Sequence, residues 1–97
     1  MPPIPQETID SIDGLKSFVY KVLCQDNHLL DGNHPTSENL LWRGSDICGM
    51  FFYLVGPRAV RLSAVWDRVG NRVFFYSSSG ARYREVALGE RTIAVER

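Results

Sequence analysis

Between Ile47 and Leu88 three or four strand-like runs follow one another, and their apolar residues occupy both alternation phases. A strand with one wet face alternates apolar with polar residues, because successive side chains point to opposite sides of the sheet. In the first run Met50, Phe52 and Leu54 hold one phase, while Phe51, Tyr53 and Val55 hold the other. A sheet built from such strands needs cover on both faces. The remainder of the chain offers one convincing helix, so one apolar face lacks a partner.

That helix is read from Ile9, Ile12, Leu15, Val19, Val22 and Leu23, which recur at steps of three and four, with Phe18 widening the stripe. The pattern predicts a helix over Ile9–Gln25 with Thr8 or Asp10 as its N-cap. Gly14 in the first turns argues for a later start. Asp26 to Asp46 reads as a long irregular connection, with turn chemistry at Asp31-Gly32-Asn33 and a block to helix at Pro35. Turn signals at Gly56-Pro57-Arg58, Val69-Gly70-Asn71 and Ser78-Ser79-Gly80 then divide the rest into a meander. Thr92–Val95 can add a short fifth strand.

The expected architecture is therefore α+β, one domain over residues 1–97, with an N-terminal helix packed across one face of a four-stranded antiparallel β-meander. Residues 1–7 read as a flexible Pro-rich tail. At the level of topology a leading helix followed by a meander is similar to cystatin-like α+β sheets, an architecture that carries no functional information by itself.

Closing the first hairpin so that Val55 opposes Val60 sets Tyr53 against Leu62, Phe51 against Ala64 and Gly49 against Trp66. On this register the helix covers Phe51, Tyr53, Trp66, Val73, Phe75 and Val86. The second face then carries Met50, Phe52, Leu54, Val65, Phe74, Tyr76 and Tyr83 with Arg61, Ser63 and Asp67. A helix about 10 Å across covers one face of such a sheet and none of the other. Three covers compete for the second face: the 26–46 segment folded back, a second copy of the chain, or a small molecule held under that segment with Arg61 and Tyr83 as polar anchors.

Charge is balanced overall but not along the chain. Residues 1–46 hold seven acids against three basic residues, and residues 47–97 hold eight arginines against four acids. Arginines with Phe74, Tyr76 and Tyr83 on a sheet suggest single-stranded nucleic acid as a lesser alternative, but a pI near 6.7 is well below the basic footprint of such domains. The longest apolar run, Met50–Val55, is far short of the ~20 residues of a membrane span, and the first residues lack a signal-peptide pattern. The expected location is cytoplasmic, with no membrane partner.

Catalytic signatures are absent. Cys24, His28, His34 and Cys48 share one window and contain the donors of a tetrahedral zinc site, yet their spacing matches no finger, ribbon or CxxC knuckle, so no metal and no cofactor is assigned. Cys48 with His34 or His28 supplies the groups of a thiol nucleophile without any local signature around it. No phosphate-binding glycine motif occurs. The reading is a small binding protein, on the non-enzymatic side, that self-associates or serves as an accessory subunit of another protein. Its candidate binding residues are Phe52, Leu54, Arg61, Phe74, Tyr76 and Tyr83; the alternative is a small-ligand or catalytic pocket beneath the 26–46 segment.

Overall fold

A computed structural model describes residues 11–29 and 34–89. One helix, α1 (Ile12–Asp26), precedes five strands: β1 (Thr36–Arg43), β2 (Asp46–Val55), β3 (Arg61–Asp67), β4 (Arg72–Tyr76) and β5 (Arg82–Ala87). The strands form one antiparallel sheet in the order β1-β2-β3-β4-β5, a meander in which each strand pairs with its chain neighbours. The fold class is α+β, as the sequence implies, with α1 against β2 and β3.

The helix begins at Ile12 because Ser11 caps it: its backbone is extended and its hydroxyl accepts the Gly14 N–H at 3.1 Å. Its apolar stripe is buried as the periodicity requires, with Leu15, Val19, Val22 and Leu23 at most 1 % exposed. At the other end His28 takes the left-handed conformation, φ 56°. The N–H groups of His28 and Leu29 then bond back to Gln25 and Cys24, a Schellman ending in which histidine stands where glycine is usual. His28 thus stops the helix, and Leu29 beyond it packs on the core.

Two expectations are corrected here. The 26–46 segment is not irregular throughout: Thr36–Arg43 is an edge strand, joined to β2 by a tight turn with Gly44 at φ 62°. It therefore does not fold back over the sheet. The expected strand at Thr92–Val95 lies outside the described residues.

The second correction concerns register. Val55 opposes Arg61, which sets Leu54 against Leu62, Phe52 against Ala64 and Met50 against Trp66. The β2–β3 connection is one residue longer than the sequence suggests. Gly56 N–H bonds to the Val60 carbonyl at 2.7 Å, and Arg58 and Ala59 both sit at positive φ to close the loop. A one-residue slip moves every side chain of a strand to the opposite face. Met50, Phe52 and Leu54 accordingly face α1, while Phe51, Tyr53 and Val55 face away from it.

The core is the cluster of α1 with Met50, Phe52, Leu54, Leu62, Ala64, Trp66, Val73 and Phe75. Trp66 is fully buried, and its indole N–H donates to Asn71 Oδ1 at 3.1 Å in the β3–β4 turn. Gly49 is required by close packing of backbones: a Cβ there would lie 2.1 Å from the Trp66 carbonyl oxygen. Neither backbone has room to give without breaking the ladder.

Candidate functional site

The face of the sheet turned away from α1 carries a regular array of side chains. Strand pairing aligns these side chains in rows across the sheet. One row runs Asn39, Phe51, Val65, Phe74, Glu85 from β1 to β5. The next runs Ser37, Tyr53, Ser63, Tyr76, Arg82. Beyond the first row lie Asp67 and Arg72, and beyond the second lies Arg61. Strands β2 and β4 each therefore raise an aromatic ridge, Phe51/Tyr53 and Phe74/Tyr76. Between them β3 contributes the smaller Ser63 and Val65 as the floor of a trough about 10 Å wide, two strand spacings.

Two guanidinium groups stand over this aromatic surface. Arg61 stands 4.7 Å from the Tyr53 ring centre, and Arg82 stands 4.3 Å from Phe74 and 5.8 Å from Tyr76. A cation held over a ring keeps N–H groups for acceptors, and one of those of Arg82 donates to the Tyr76 hydroxyl at 3.4 Å. At the other end Arg72 pairs with Glu85 at 3.1 Å, and Asp67 accepts the Val69 N–H at 3.2 Å. One end of the face is thus basic (Arg61, Arg82) and the other mainly acidic (Asp67, Glu85, with Arg72). Among the described residues no helix or strand packs on this face.

The expected binding residues divide accordingly. Arg61, Phe74 and Tyr76 lie on the helix-free face. Phe52 and Leu54 do not: they are 0 % and 2 % exposed beneath α1, displaced by the longer β2–β3 loop. Tyr83 also lies on the helix side. A register shift between Phe75 and Tyr76 pairs Tyr76 with Arg82, so Arg82 turns to the open face and Tyr83 turns toward Phe75, at 6.4 Å between ring centres. The phenol is pushed up to about 12, first by burial and then by the neighbouring Asp26 carboxylate. Phe51 and Tyr53 are the residues that sequence reading assigned to the covered face. Both phases of β2 are apolar, so only the loop length could have placed them.

The other candidate constellations do not assemble. For a pocket beneath the 26–46 segment with Tyr83 as an anchor, Trp42 of that segment lies on β1 and Tyr83 on β5, at opposite edges of the sheet about 19 Å apart at four strand spacings, so the two cannot line one cavity. Cys24, His28, His34 and Cys48 do not converge, and among the described residues no three His, Cys, Asp or Glu side chains form a metal-binding group. The two cysteines are not bridged to one another. Among the described residues no helix is long and apolar enough to cross a membrane.

A polar cluster joins α1 to the edge strand. The Tyr20 hydroxyl donates to Glu38, whose other carboxylate oxygen lies 3.2 Å from Lys16 Nζ. The Tyr20 hydrogen bond, with Lys16 behind it, holds the Glu38 carboxyl below its ordinary value against the effect of burial. Burial and the same carboxylate raise the Tyr20 phenol. A depressed carboxyl adds stability above its unfolded value, and that stability is lost as pH falls through the folded value. Glu38→Gln keeps an acceptor for Tyr20 but removes the charge. It is expected to cost about 1 kcal/mol at pH 7, a fall of about 4–8 °C in Tm, and nearly nothing at pH 3. Thermal melts of both proteins at the two pH values check this; an equal gap at both would exclude the charge as its source.

No protein-family model, curated protein or solved structure matches this chain.

Proposed function

We propose that the protein is a small binding protein, without catalytic chemistry of its own, that works through the helix-free face of its sheet as a homodimer or as an accessory subunit. The observation that carries this reading is the double aromatic ridge, Phe51/Tyr53 and Phe74/Tyr76, on a face that no described element covers. Specific interfaces are rich in Tyr, Phe and Arg at their centres and poor in Lys, and this face has that composition. Rigid rings and arginines held in place by stacking lose little conformational freedom on binding.

Protein is favoured over nucleic acid because the rings that would stack bases already carry Arg61 and Arg82, and because the chain has no net charge. With β1 built into the sheet, no described helix or strand lies over the open face to roof a small-molecule pocket. The reading is tested at Tyr76, whose side chain lies outside the core. Tyr76→Asp is expected to weaken association at least about 30-fold, as loss of an interfacial anchor does, while the thermal melt of the subunit stays within a few degrees. Light scattering across a dilution series reads the first quantity. Association that survives the substitution would remove this face from the interface.

A further inference from the structure

Resting on that reading, we infer that the occupant of the open face is a second copy of the chain, related by a two-fold axis lying across the strands so that the two sheets run antiparallel. Isologous dimers require a patch that is complementary to itself, and the opposite charges at the two ends of this face meet that condition. An axis placed between the Phe51–Val65–Phe74 row and the Tyr53–Ser63–Tyr76 row exchanges the two rows between copies. Phe51 then meets Tyr53 of the second copy, and Phe74 meets its Tyr76. The floor residues Ser63 and Val65 exchange in the same way.

The charges follow the same operation. Arg61 and Asp67 occupy the two ends of β3, and Arg82 and Glu85 occupy the two ends of the face on β5. The axis brings Arg61 over Asp67 of the second copy and Arg82 over its Glu85, each twice. The N–H groups of Arg61, and those of Arg82 beyond the one that donates to the Tyr76 hydroxyl at 3.4 Å, can then meet carboxylates. Rotating the axis to lie along β3 gives the opposite result: Arg61 meets its own copy and Asp67 meets its own, so like charges oppose. Arg82 on β5 then falls over Ser37 on β1 of the second copy, where no carboxylate answers it. Charge therefore selects the antiparallel arrangement. The size is adequate: five strands make a patch about 24 Å by about 20 Å, and its side-chain relief brings the accessible area toward roughly 600–800 Å² per partner, the range of a small to standard interface.

Two charge-altered proteins test the inference. Arg61→Glu/Arg82→Glu makes both ends of the face acidic, and Asp67→Asn/Glu85→Lys makes both ends basic. Each alone is expected to dimerise at least about 10-fold more weakly than the unaltered chain, and an equimolar mixture is expected to form a one-to-one heterodimer by native mass spectrometry. Raising salt should weaken the unaltered dimer and the heterodimer alike, by screening. The single changes Arg82→Glu and Glu85→Lys repeat the experiment if a double variant fails to fold. If both altered proteins dimerise as tightly as the parent and mixing yields no preference for the heterodimer, the antiparallel register is wrong; loss of association in Tyr76→Asp would still uphold the face. A parent chain that remains monomeric at every concentration would overturn the second copy as occupant.

Discussion

Phe52→Ala is expected to cost about 3–5 kcal/mol, whereas Phe51→Ala, one residue away, costs about 1 kcal/mol or less. The two residues share chemistry and strand, and differ only in the face they occupy. Phe52 is fully buried, opposes Ala64 across the β2–β3 pair and meets the Tyr20 ring edge-on at 6.0 Å. Ala64 is also fully buried, so truncation of Phe52 leaves a void between a small residue and the helix that neighbours cannot fill. Phe51 is only partly buried beside Tyr53, 6.1 Å between ring centres, with no described helix over it, so water can take the place of its ring. Domains of this size are stable by about 5–15 kcal/mol, so Phe52→Ala should leave the chain near the edge of folding. Urea titration of the two variants gives both values. Equal or reversed costs would mean that Val55 opposes Val60 after all.

That pair also shows where the sequence is informative and where it is silent. The helix declares itself because Leu15, Val19, Val22 and Leu23 lie on one stripe with polar residues on the other side. The later hairpins declare themselves through Asn71 and Gly80, residues suited to the positive φ their turns need. The β2–β3 loop gives no such signal: Arg58 and Ala59 hold left-handed conformations that neither residue favours, and the core that they close over imposes the cost. With both phases of β2 apolar, the hydrophobic pattern could not arbitrate the slip.

Strand β1 is hidden for a related reason. Its inward-facing Glu38 breaks the apolar alternation, and only Lys16 and Tyr20, some twenty residues earlier, make that carboxylate acceptable there. Tyr83 is misplaced by a bulge whose purpose lies in the third dimension. The shift lets Arg84 reach the helix while Arg82 reaches the open face. Local propensity carries none of these long-range compensations.

Arg84→Met is expected to destabilise the protein by about 3 kcal/mol, out of proportion to its place on an edge strand. Its partner Asp26 ends α1, where a carboxylate meets the negative end of the helix dipole, and its side chain is only 6 % exposed. Arg84 Nη2 donates to Asp26 Oδ1 at 3.0 Å, and Nε lies 2.9 Å from Oδ2. That second contact is an ion pair off the N–H axis, so Oδ2 gains attraction without an aligned hydrogen bond. Removing the arginine strands a buried charge beside carbonyls that repel it. Removing both charges does not: Asp26→Leu with Arg84→Met replaces the pair by apolar contacts and should recover most of the loss. A double-mutant cycle by chemical denaturation therefore predicts a coupling of about 2 kcal/mol, measured against Asp26→Leu alone. Additive single costs would show that the arginine acts through its aliphatic packing, and that α1 is held on the sheet by its apolar stripe alone.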